Sequence, residues 1–140
     1  MRLVLDTNVL VAAMRSKAGA SAQLVQAAYA GRIVALASVP LFAEYEAVLT
    51  RPEHGQAAGV SADVINAALD ALAARIEPVE PHFSWRPQLS DPDDEMVLDA
   101  AVNGAAEAIV TFEVETFRAA AARFGVLVLT PAQAWARIRA

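Results

Sequence analysis

The chain has 140 residues, 56% of them hydrophobic, with no cysteine, two histidines and a formal net charge of −5. That length and apolar content suit a single domain over residues 1–140, able to bury roughly two-thirds of its unfolded surface. The lack of cysteine excludes disulfides, thiolate zinc sites and cysteine nucleophiles, and the acidic balance argues against a generic polyanion binder, which carries a basic stripe.

The chain enters a strand directly, with no leader of the secretory kind. No apolar run reaches the roughly 18 to 20 residues needed to cross a bilayer, so a cytoplasmic protein with no membrane partner is expected. Residues 3–5 are continuously apolar, as in a strand covered on both faces, and helical spacing follows from Asn8. Asp6 therefore stands at a strand end. It can cap the following helix, or it can face a ligand, because ligands of open α/β sheets lie beyond the carboxyl ends of the strands.

A second strand is expected over residues 33–37, introduced by the helix-stopping Gly31. The helix over residues 40–49 then buries Leu41, Phe42, Tyr45, Val48 and Leu49, and Glu44 and Glu46 flank that stripe equally. Ser61 caps a helix with Ile65, Leu69 and Leu72 on one face. Residues 76–79 form a weaker edge strand, since Pro78 would be poorly tolerated in a central one. Residues 77–92, which contain several prolines, are the longest irregular stretch and are expected to be a surface connection.

Asp91, Pro92, Asp93, Asp94 and Glu95 open the next helix, with Asp91 as N-cap and carboxylates facing the positive end of the helix dipole. Capping does not require three aspartates. In a parallel α/β fold this helix start lies at the same sheet edge as the end of the first strand, so Asp94 and Asp6 are expected to meet. Residues 108–110 form the fourth strand, with Glu113 and Glu115 just beyond it. Residues 126–129, after Gly125, form the last strand, and Thr130 to Gln133 has the capping-box spacing with Pro131 at the first helical position. His54 and His82 lie far apart and show no ligand spacing.

The alternation implies a parallel sheet sandwiched between helices with right-handed crossovers. Acids from four segments point to one edge. Two carboxylates about 5 Å apart repel by roughly 3 kcal/mol at an effective dielectric of about 20, so a cation is expected among them. With oxygen ligands only, that cation is Mg²⁺ or Mn²⁺, and the chemistry it supports best is attack of metal-activated water on a phosphodiester. An Asp-nucleophile phosphatase would need a second Asp where Asn8 stands.

Three segments carry a resemblance: Leu5-Asp6-Thr7-Asn8-Val9-Leu10, the run from Ser38 through Glu44 to Leu49, and Asp91-Pro92-Asp93-Asp94-Glu95-Met96-Val97-Leu98. Together they resemble the PIN-domain family, in particular the VapC-like toxins of bacterial toxin–antitoxin systems, over nearly the whole chain. The resemblance implies a three-layer α/β sandwich with a central parallel sheet of four or five strands in the order 3-2-1-4-5. It also implies a divalent-metal-dependent endoribonuclease acting on RNA, forming a homodimer and held by a cognate antitoxin.

On that resemblance Asp6, Glu44, Asp94 and Glu113 are the catalytic and metal-binding acids, with Asp91 as a further metal neighbour. Thr7, Asn8, Ser38 and Thr111 support them. Arg15, Lys17, Arg51 and Arg86 are candidate RNA phosphate contacts. The chain departs from the family's usual pattern at the fourth position, where Glu113 and Thr116 stand in place of shorter or acidic residues. That departure leaves open a second reading, a catalytically weak or inactive PIN domain that binds RNA or an antitoxin.

Overall fold

The computed structural model describes residues 1–140. The chain runs β1 (Arg2–Leu5), α1 (Thr7–Arg15), α2 (Ala20–Tyr29), β2 (Val34–Ala37), α3 (Val39–Leu49), α4 (Pro52–Ala58), α5 (Ala62–Ala73) and β3 (Glu77–Pro78). It continues through α6 (Pro92–Asn103), β4 (Ala108–Val110), α7 (Val114–Ala122), β5 (Leu127–Leu129) and α8 (Pro131–Arg139). The five strands form one parallel sheet in the order β3-β2-β1-β4-β5, so the expected fold class and strand order are both present.

Local sequence explains the punctuation. Ser38, Ser61, Asp91 and Thr130 each cap the helix that follows, and Thr130 with Gln133 completes the capping box. Gly31 and Gly125 have φ of +73° and +72°, a left-handed conformation that glycine adopts without steric cost. Proline at position 78 is accommodated because β3 is a two-residue edge strand pairing only with β2. The short helix α4 was not foreseen, since a seven-residue segment with Gly55 inside it carries little periodicity.

The order of the strands positions the site. From β1 the chain moves outward through α1 and α2 to β2, and later crosses back through α6 to β4 on the other side of β1. Right-handed crossovers in opposite directions put their helices on opposite faces, which opens a crevice between the carboxyl ends of β1 and β4. The core strands there are fully covered: Leu3, Val4, Ala108, Ile109 and Val110 are each 0% exposed. At the other end of α6, a Cβ on Gly104 would lie 2.8 Å from the Ala100 carbonyl and 2.9 Å from a Val79 methyl, so only glycine allows that close approach.

Candidate metal centre

Asp6 performs both tasks the sequence allowed. It extends the β1 ladder by donating its N–H to the Val110 carbonyl at 2.9 Å, and it is the N-cap of α1, accepting from the Thr7 N–H through Oδ1 at 2.8 Å. Its other oxygen, Oδ2, accepts from the buried Thr111 hydroxyl at 2.8 Å. Thr111 Oγ1 accepts in turn from the Glu113 N–H at 2.9 Å, so one hydroxyl links the end of β1 to the start of α7. The buried Tyr45 phenol donates to the Leu5 carbonyl and fastens α3 to the same strand end. Burial, with the Asp6 charge adding to it, pushes the Tyr45 pKa up and keeps the phenol a donor.

Asp6, Asp94 and Glu113 come together, each offering a carboxylate oxygen within 4.8 Å of the others. Asp6 is buried, Asp94 is half-buried and Glu113 is exposed. Glu113 sits at the N-cap of α7 without capping it, so its carboxylate is not committed to the backbone. Burial raises the Asp6 pKa most, with the Glu113 charge adding to it, while the Thr111 and Thr7 hydrogen bonds oppose the rise. The Asp94 carboxyl is pushed up to about 6, by burial first and then by the charges of Asp6, Asp91, Glu113 and Asp93. A group of hard oxygen donors in which Asp6 and Glu113 raise the Asp94 pKa, and Glu113 that of Asp6, fits a divalent cation, which would reverse those shifts.

The other residues expected at the site have different placements. Asp91 caps α6, accepting from the Asp93 N–H at 2.9 Å, and acts on Asp94 as a neighbouring charge. Glu44 is half-buried on α3 beside Tyr45 and outside the three-carboxylate group, while Glu46 is exposed. Ser38 is buried and caps α3, its Oγ 3.3 Å from the Leu41 N–H. Asn8 Oδ1 faces the Phe112 N–H at 3.5 Å across the crevice. Glu115 pairs with Arg118 at 2.7 Å, away from the group.

Among the cations, Arg86 is paired with Asp99 at 2.9 Å and Arg15 contacts His54 Nδ1 at 2.9 Å. Arg51 precedes α4, and Lys17 stands at the rim of an apolar pocket of about 410 Å³ lined chiefly by α1, α2 and α5.

A second polar set escaped the sequence. Glu95, Asp99 and Asn103 recur every four residues along α6, and each holds part of the extended segment that precedes the helix. Glu95 Oε1 accepts from the Gln88 and Leu89 N–H groups, the latter at 2.7 Å. Asp99 binds Arg86, and the Asn103 amide donates to the Phe83 carbonyl at 2.8 Å and accepts from its N–H at 3.0 Å. Segment and helix run antiparallel, and the segment is strapped down at three levels. The detectable signal was the i, i+4, i+8 spacing of polar residues among Val97, Leu98, Ala100 and Ala101.

Beside Asp94 the strap forms one wall of a polar cleft of about 620 Å³, made by residues 87–91 with Thr116 opposite. No helix is long and apolar enough to cross a membrane.

A sequence profile described as PIN domain matches residues 2–115. No curated protein matches the chain in sequence. Among solved structures, VapBC2 from Rickettsia felis bound to a DNA fragment from their promoter is similar at a TM-score of 0.62 and 13% identity, covering 93% of this chain and 98% of that one.

Proposed function

This chain belongs to the PIN-domain family, and from that premise we propose that it is a divalent-metal-dependent endoribonuclease, the toxin of a toxin–antitoxin pair. The observation that carries the reading is the meeting of Asp6, Asp94 and Glu113 from three separate elements at the switch point of the sheet, with Asp94 held near a pKa of about 6. Asp6, Asp94 and Glu113 would hold the cation, which when bound supplies Lewis-acid stabilisation of the phosphodiester and an activated water. Thr111 fixes the orientation of Asp6 and of the Glu113 backbone. Glu44, on α3 outside the three-carboxylate group, keeps its proposed role as a further acid of the site, and Asp91 acts on Asp94 as a neighbouring charge.

For RNA phosphates we assign Arg51 and Lys17, which have no carboxylate partner within ion-pair distance, ahead of Arg15 and the paired Arg86. The net charge of −5 suits a basic antitoxin segment as the inhibitory partner. Assembly of the toxin as a homodimer belongs to the same proposal.

The purified protein should cleave single-stranded RNA with Mg²⁺ or Mn²⁺ and stop on chelation, and Asp6→Asn should remove that activity. The exposed Glu113 and the neutral Thr116 favour one competing reading, a PIN domain that binds RNA or antitoxin without cutting. Binding of RNA without metal-dependent cleavage at any tested ion would select it.

A further inference from the structure

The strap carries two large aromatic side chains that the core does not use. Phe83 is 64% exposed and Trp85 43% exposed, and neither packs into the hydrophobic core cluster, whereas Phe124 beside them does. In an extended chain residues two apart share a face. The rings form a ladder, with centroids 5.7 Å apart from Phe83 to Trp85 and 5.2 Å apart from Trp85 to Phe124.

Around the ladder the backbone is tied down. Asn103 holds Phe83 on both its N–H and its carbonyl, and Asp99 holds Arg86. The Gln88 amide donates to the Trp85 carbonyl at 2.6 Å and accepts from Arg123 at 2.6 Å. Exposed aromatics on a fixed backbone bring little stability and have low entropy to lose on binding. The ladder also leads somewhere: the cleft made by residues 87–91 begins where the aromatics end and reaches Asp94, a member of the carboxylate group.

We propose that Phe83, Trp85 and Phe124 form a base-stacking platform for single-stranded RNA, along which the strand approaches the carboxylate group through the cleft of residues 87–91. A strand that offers π-faces matches the exposed aromatic pair, and its phosphodiester would reach the polar cleft, whose only charges are Asp91 and Asp94, where the carboxylate group would hold the cation. A peptide anchor would instead need an enclosed pocket, and the Phe83 and Trp85 rings are open to solvent. The inference rests on the nuclease reading and adds the place where substrate bases are held.

The test measures equilibrium binding of oligouridine, and of an abasic strand of the same length, to protein carrying Asp6→Asn to suspend cleavage. Adding Phe83→Ala and Trp85→Ala together should weaken oligouridine binding about tenfold or more, leave the abasic strand unaffected, and be partly reversed by restoring Phe at position 85. With Trp135→Phe removing the other indole, Trp85 fluorescence should be quenched by oligouridine and not by the abasic strand. Equal binding of both strands, or no change in the double variant, overturns the platform.

Cleavage of oligouridine by the parent chain is measured alongside. If the parent cuts RNA while the aromatic variants bind as well as it does, the platform fails alone and the strip is left for a protein partner. If the parent neither binds nor cuts RNA, the nuclease reading fails and the platform with it.

Discussion

Asp94 and Glu95 are neighbours in sequence and carry the same chemical group, yet α6 turns them into opposite environments. Asp94 faces Asp6 and Glu113, and burial first and then the neighbouring acids raise its pKa to about 6. Glu95 is 3% exposed and accepts from two backbone N–H groups of the strap. A step of one residue along a helix is about 100° of rotation, enough to separate a carboxylate grouped with other acids from one that holds the strap backbone through Oε1, its Oε2 buried without a hydrogen-bond partner. The first is a candidate for binding and the second for structure, and substitutions should divide accordingly.

The largest expected effect is on activity. Asp6→Asn should lower metal-dependent RNA cleavage on the order of a hundredfold or more, while raising the melting temperature of the metal-free protein, because it removes a buried charge whose pKa is already raised. Loss of both activity and stability would place Asp6 in the structural class with Glu95.

Glu95→Ala should behave in the opposite sense, destabilising the fold by about 2 to 3 kcal/mol in denaturant unfolding, since two N–H groups lose their charged acceptor. Glu95→Gln, which keeps one acceptor, should cost less. If both variants unfold like the parent, the strap is not held through this residue.

A smaller effect follows from pH. The Asp94 pKa is raised from an ordinary 3.8 to about 6, so the folded state binds its proton more tightly than the unfolded chain does. Its contribution to stability is therefore full below about pH 4 and is lost as the pH rises through about 6. The metal-free melting temperature should carry a falling component across that window, absent in Asp94→Asn and offset by saturating Mg²⁺. The smallest effect should come from Asp99→Ala, about 1 kcal/mol, with amide exchange in residues 83–89 rising more than elsewhere.

The contrast between these neighbours also marks what the sequence could reveal. Strands at residues 3–5 and 108–110 announce themselves as apolar runs, and a charge at the end of such a run stands out, so Asp6 and Glu113 were visible. Asp94 was found by its place at a helix start. The hold of Glu95 on the strap was hidden because Asp91, Asp93, Asp94 and Glu95 all satisfy the same capping pattern, and only the packing of the strap against α6 distinguishes them. Arg86 was similarly opaque: its partner Asp99 lies thirteen positions away across a stretch that has no periodicity to fix its path. Glu44 and Glu46 were indistinguishable by helical phase, and the fold leaves Glu44 half-buried and Glu46 in solvent.

The central claim is that Asp6, Asp94 and Glu113 act together as a cation site, and calorimetric titration of Mn²⁺ into the metal-free protein tests it most directly. The parent should bind the ion with proton release near pH 6, Asp94→Asn should bind it at least about tenfold more weakly, and Glu95→Gln should bind it as the parent does. Equal affinity in the parent and in Asp94→Asn would contradict the account.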